Sequence, residues 1–268
     1  MTNFVSNAVR VGGVAVVLFA GVAIAGSFAR QGGVVAAADE GSARRPVLVE
    51  LFTSEGCSSC PPADELIAKL DKMQFVPGAE AIVLSEHVTY WNQDGWQDRF
   101  SLDAVTDRQK EYADRFKLNS PYTPQVVVDG AAELVGSDAR KLVSVVQQAA
   151  AAPKTELTIE DAQWAGKAVR FSVKGAGDSK ATLMAALAEE SAETSVAHGE
   201  NQGRTLKHVA VVTVLQEMGK GSGDGRELTL KAPGNLQSAT GPVRLVVFLA
   251  DRHTGHVLAV AEKTINRS

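Results

Sequence analysis

Apolar and polar positions follow three successive textures along the chain. Val11 to Ala29 is apolar throughout apart from glycines and Ser27. From residue 46 short apolar runs alternate with segments of helical spacing. Pro46 to Ser54 is a compact apolar run with β-branched residues, which predicts a strand buried on both faces. Pro61 to Leu70 reads as a helix, with prolines in its first turn, acids next and apolar residues at helical spacing. A second strand is expected over Ala81–Val88. A polar and aromatic loop, Tyr90–Arg99, then leads to a helical stretch from about Leu102 to Phe116. Ser120 to Pro124 forms a turn into a strand at Gln125–Val128, and Asp129-Gly130 makes a hairpin turn into Ala131–Val135. Ser137 and Asp138 cap a last helix from Ala139 to about Ala152. This order predicts a mixed sheet with helices packed on it.

The third texture begins after Pro153. Seven strands are expected, at Glu156–Ile159, Ala168–Val173, Ala181–Glu189, His208–Glu217, Glu227–Leu230, Val243–Ala250 and Val257–Thr264. Glycine-rich turns separate them, and helical periodicity is nearly absent. An antiparallel sandwich follows from that pattern. The expected organisation is a signal peptide or membrane anchor over 1–38, an α/β domain over 44–152 and an all-β, sandwich-like domain over 155–268.

Charge and composition narrow the picture. The chain has 268 residues, with 27 basic and 31 acidic, and a net charge of -4. There is no basic footprint for nucleic acid. Residues 1–38 carry Arg10, Arg30 and no acid, and end in small residues before Asp39. That is the pattern of an export signal. The apolar run is also close to the ~20 residues that span a bilayer, so an uncleaved anchor in the cytoplasmic membrane stays open. Either way the rest of the chain is expected outside the cytoplasm, in the periplasm or secreted.

Only two cysteines are present, Cys57 and Cys60, in the order Cys-Ser-Ser-Cys. They fall between a buried strand and a helix, where the amides of the first turn favour a thiolate. Cys57 can attack a partner disulfide, and Cys60 can displace the mixed disulfide that results. Gly56 leaves room for a partner backbone. Two other uses are open: a static bridge, weak because the loop it closes is short, and a two-thiolate site for copper(I). Thr123-Pro124, just before a strand, adds support. Here the pattern resembles the thioredoxin fold, in which a cis-proline loop beside the Cys-x-x-Cys offers backbone groups to an extended substrate. An ordinary trans turn is the alternative.

The likeness extends further. Glu50-Leu51-Phe52-Thr53-Ser54-Glu55-Gly56-Cys57-Ser58-Ser59-Cys60-Pro61-Pro62-Ala63-Asp64 resembles the opening of an exported bacterial family catalogued as domain of unknown function 1223. His87 to Trp91 with Gly95-Trp96, Arg108-Gln109 with Tyr112, Tyr122 to Gln125, and Gly199 to His208 are similar to that family's recurrent segments. The resemblance implies a thioredoxin-like domain with a β-rich C-terminal extension, and no substrate. The chain departs from ordinary thioredoxins in having Gly56 before the first cysteine and Ser-Ser between the two. Glu50 is the nearest equivalent of the thioredoxin buried acid. It is either a proton handler for Cys60 or a strand-edge carboxylate that is solvated or salt-bridged.

Trp91 and Trp96 lie in the loop from His87. They form either a wall that recognises a partner or a packed lid. His198, Glu200 and His208 could meet in a hairpin as a metal site, or the segment is a demanding loop in which Arg204 pairs with an acid. The expected function is thiol–disulfide exchange with a protein partner, without a cofactor. Cys57, Cys60 and Glu50 would do the chemistry, and Thr123, Pro124, Gly56 and Trp91 would meet the substrate. The alternative is a thiol-based copper(I)-binding or partner-recruiting protein.

Overall fold

The computed structural model describes residues 44–175, 180–221, 225–234, 236 and 241–266. The expected signal or anchor over 1–38 lies outside the described residues. Among those described, no helix is long and apolar enough to cross a membrane.

The expected elements form. In chain order they are β1 (Arg45–Thr53), α1 (Pro61–Met73), β2 (Ala79–His87), α2 (Asp103–Arg115), β3 (Gln125–Val128), β4 (Ala132–Val135) and α3 (Ala139–Ala151). After them come β5 (Thr158–Ala165), β6 (Ala168–Lys174), β7 (Ala181–Ser195), β8 (Thr205–Lys220), β9 (Glu227–Lys231), β10 (Val243–Asp251) and β11 (Val257–Ile265). The local reasons are those of the sequence. Asp138, for instance, caps α3 by accepting from the Lys141 amide.

Their assembly differs from expectation. β1 pairs parallel with β2 and antiparallel with β3, and β3 pairs with β4. The free edge of β2 is then taken by β8, parallel, at Ser85–Val211. β8 pairs with β7, β7 with β10, and β10 with β11, all antiparallel. The result is one eight-stranded mixed sheet in the order β11-β10-β7-β8-β2-β1-β3-β4, with a second sheet β5-β6-β9. An α/β thioredoxin-like domain followed by a separate all-β sandwich is therefore not the fold. The molecule is mostly β, and strands from both halves of the sequence share one sheet.

Burial explains why. Along β10 every residue from Val243 to Ala250 is buried, so both faces of the strand are covered. Leu245, Val247 and Leu249 pack with Val169, Phe171 and Leu230 of the small sheet. Val246 and Phe248 point the other way, into a core that also holds Leu48, Val83, Tyr112 and Leu142. β7 divides in the same manner, with Leu183 and Leu187 on one side and Ala186 and Ala188 on the other. A strand buried on both faces needs a layer on each side. A free-standing two-sheet sandwich supplies only one.

The far edges also meet. The Val257 amide of β11 donates to the Asp129 carbonyl in the β3–β4 turn at 2.7 Å. There Gly130 has φ +61° and approaches the Gly255 carbonyl so closely that a Cβ would lie 2.1 Å from it. Only glycine fits both demands.

Candidate functional site at the β1–α1 turn

The chain leaves β1 through Ser54, Glu55 and Gly56 and reaches α1 through the two cysteines. The Cys57 amide donates to the Ser54 carbonyl, and the Cys60 amide to the Cys57 carbonyl, each at 3.2 Å. The amides of Ala63 and Asp64 then donate to the Cys60 carbonyl at 2.8 and 3.1 Å. Cys60, rather than Cys57, is thus the residue that caps α1; Cys57 sits one turn earlier. Pro61 and Pro62 occupy the first turn, where missing N–H groups cost nothing. Cys57 and Cys60 form a disulfide with Cα atoms 5.5 Å apart. Both cysteines are fully buried, whereas Ser58 and Ser59 are exposed. Ser59 Oγ lies 3.3 Å from Cys57 Sγ.

The predicted docking residues gather around this turn. A Cβ on Gly56 would meet Trp91 Cβ at 3.1 Å and the Trp91 carbonyl at 3.2 Å. The room that glycine leaves is therefore used by Trp91, at the 3-10 turn Tyr90–Gln93. Trp91 Nε1 donates to Thr123 Oγ1 at 2.8 Å, and the Thr123–Pro124 peptide is cis. Gly136 lies against Ala63 and Pro124, with no space for a side chain between them, so Pro124 borders the first turn of α1. Behind them, Gln109 Nε2 donates to the Tyr122 carbonyl at 2.8 Å and to Gln125 Oε1 at 3.0 Å. Its Oε1 accepts from Tyr90. Burial is the main reason that the Tyr90 hydroxyl is pushed up to about 12.

Glu50 is placed elsewhere. Tyr112 donates to its Oε2 at 2.7 Å and Arg108 Nε to its Oε1. Glu86 is buried in the same group, with its pKa raised well above the usual carboxylate range by burial and then by the Glu50 charge. Glu50 is thus salt-bridged inside the core, and its two oxygens are engaged by α2 rather than turned to Cys60.

Sequence reasoning passed over a second polar cluster beneath the cysteines. Glu55, His87, Asp98 and His208 are all buried, as is Asp64 on α1. The Glu55 amide donates to Asp98 Oδ2 at 2.8 Å, and Trp96 Nε1 donates to Glu55 Oε2 at 2.8 Å. His87 Nδ1 lies 2.7 Å from Asp98 Oδ2. Burial opposes both charges of that pair. Even so, the His87 charge, its hydrogen bond and the backbone amides of Glu55 and Phe100 hold Asp98 down at about 2. Asp98, Asp64 and Glu55 in turn raise His87 above its ordinary value against the effect of burial. The alternative in which His198, Glu200 and His208 meet does not occur. His208 turns inward to Glu55 and Asp64, while Glu200 accepts from the Ser58 amide at 3.1 Å. Among the described residues no group of three or more His, Cys, Asp or Glu is arranged to hold a metal.

The β7–β8 loop covers the turn from outside. Asn201 is fully buried, and its Nδ2 donates to the carbonyls of Glu55 and Cys57, both at 2.9 Å. Arg204 steadies Asn201 Oδ1 at 3.0 Å, instead of pairing with an acid. The sequence signals for this cluster were present: Glu55 two residues before Cys57, and a polar Gly-Glu-Asn-Gln-Gly-Arg loop between long apolar strands. What could not be read was that β8 lies beside β2. A cleft of about 670 Å³ lies apart from the cysteines, around Arg244. Arg244 is already paired with Asp71 and Glu190 there.

A family model described as a protein of unknown function (DUF1223) matches residues 48–250. No curated protein matches the chain. Among solved structures, a crystal structure of an Agrobacterium tumefaciens protein is 26% identical, with TM-score 0.60, covering 84% of this chain and 95% of that one. A DUF3823 protein of Bacteroides ovatus shares 9% identity over 41% of this chain and 55% of its own, with TM-score 0.27. OgpA of Akkermansia muciniphila, solved with an O-glycopeptide, shares 16% over 42% of this chain and 29% of its own, with TM-score 0.24.

Proposed function

The chain belongs to the DUF1223 family of unknown function, and from that premise we propose that it is a thiol–disulfide oxidoreductase acting on a protein partner outside the cytoplasm. The observation that carries the reading is the Cys57–Cys60 disulfide at the head of α1, with Trp91 packed against the adjoining Gly56 and hydrogen-bonded to Thr123 before Pro124. In the reducing direction the Cys57 thiolate attacks a partner disulfide. A mixed disulfide forms and one partner thiolate leaves. Cys60 then loses its proton and attacks Cys57 Sγ, closing the intramolecular bond and releasing the second partner thiolate. The dipole of α1 and the Ser59 hydroxyl favour the thiolate on this turn. The apolar segment before Asp39 supports an exported location, where such a pair can be oxidised.

Both cysteines are fully buried in the closed disulfide, and Asn201 and Glu200 hold the backbone of their turn through the Cys57 carbonyl and the Ser58 amide. Exchange requires the turn to open, and release of the β7–β8 loop from it is the proposed route. Insulin reduction by dithiothreitol tests the reading. The full chain is expected to accelerate turbidity, Cys57→Ser to abolish the acceleration, and Cys60→Ser to trap a mixed disulfide. Equal rates for wild type and Cys57→Ser would refute the proposal.

A further inference from the structure

The cluster under the cysteine turn holds more titratable groups than its hydrogen bonds use. His208 is 2% exposed, and neither of its ring nitrogens makes a hydrogen bond. Nε2 faces Glu55 Oε1 at 3.7 Å, and Nδ1 faces Asp64 Oδ1 at 3.5 Å. Those two oxygens are also without hydrogen-bond partners. The groups that face the ring are Glu55 from the β1–α1 turn, Asp64 from α1 and His87 from β2, edge-on at 4.7 Å, with Asp98 behind it. A neutral imidazole has one N–H and serves one carboxylate. The imidazolium has two, one for each.

The two residues that carry these carboxylates adjoin the cysteines through the backbone. Glu55 precedes Cys57 by two residues, and its carbonyl accepts from the same Asn201 amide group as that of Cys57. The Asp64 backbone amide donates to the Cys60 carbonyl at 3.1 Å. We infer that His208 is the proton store of the pair: reduction to a Cys57 thiolate loads a proton onto the ring between Glu55 and Asp64, and reoxidation releases it.

This rests on the oxidoreductase reading. A partner dithiol supplies two electrons and two protons. The Cys57–Cys60 bond breaks as the partner's disulfide forms. One proton ends on Cys60 and the other on His208, so the buried turn gains a thiolate and an imidazolium together and no net charge. His208 is a positioning residue, acting on the sulfur through the charge of the cluster.

Imidazole NMR on the full chain, oxidised and then reduced with dithiothreitol at one fixed pH, reads the store directly. The protonated fraction of His208 is expected to rise several-fold on reduction. By reciprocity of linkage, thiolate absorbance in reduced His208→Gln should persist only to a proton concentration about tenfold lower than in wild type. If His208→Gln fails to fold, Glu55→Gln, which keeps the ring, should shrink the rise of the protonated His208 signal on reduction. An unchanged His208 signal, a change confined to His87, or an unaltered thiolate profile in His208→Gln would overturn the assignment. If the pair cycles normally without these effects, only the proton store falls. If excess dithiothreitol never reduces the pair, the oxidoreductase reading falls and takes the store with it.

Discussion

At the scale of single residues, the strongest consequences come from charges placed in the core. Glu86 has its pKa raised in the folded state by burial and by Glu50. The folded chain thus keeps a proton that the unfolded chain gives up above about pH 4.5. Stability contributed by that proton is complete below that pH and is lost as pH rises toward the folded value. Glu86→Gln keeps the shape without the titration. Urea melts should show it gaining on wild type between about pH 5 and 8, with the gap closing near pH 4. Arg108→Met strips buried Glu50 of its ion-pair partner beside Glu86 and should cost about 3–5 kcal/mol in the same assay. Gly130→Ala meets both a positive φ and the Gly255 carbonyl, so a loss of about 2–4 kcal/mol is expected. Residue roles were legible where they depend on neighbours in sequence, as with Asp138 at its helix or the cysteines beside α1. They were not legible where the partner comes from another element. Glu50 reads alike whether it faces a thiol or Arg108, because α2 decides which.

At the scale of elements, the apolar pattern located the three long helices and the strands, though it missed the 3-10 turn Tyr90–Gln93 and placed β5 too early, and it did not say which strand lies beside which. Ladder partners are set by long-range packing, and the Ser85–Val211 pairing joins strands far apart in sequence. One clue was available. The unbroken apolar run of β10 asks for cover on both faces, which a separate sandwich cannot give. The same distant pairing brings the β7–β8 loop onto the cysteines, and there the loop can be tested alone. Asn201→Ala removes two hydrogen bonds to the turn and exposes the carbonyls of Glu55 and Cys57 to water. We expect a stability loss of about 1–3 kcal/mol and faster reduction of the disulfide by dithiothreitol. An unchanged reduction rate, followed by thiol labelling, would show that the loop does not limit access.

At the scale of the whole molecule, the shared sheet makes the two halves of the chain one cooperative body. Residues 44–152 without the remainder would expose the β2 edge that β8 covers, leave Asp71 without Arg244 and strip Phe248 from the core. That fragment should be collapsed or aggregated, with dye-accessible apolar surface and no dispersed NMR spectrum. The intact chain should melt in one step, with tryptophan fluorescence and far-UV circular dichroism coincident. Two separate transitions would contradict the single-body fold. The cover of the cysteine turn has a consequence in time as well. Glu200 reaches Ser58 from 142 residues downstream, and ribosomes add about 5–20 residues per second. Each new chain therefore carries Cys57 and Cys60 uncapped for roughly 7–28 seconds of synthesis. The loop that closes the turn is thus made well after the turn itself.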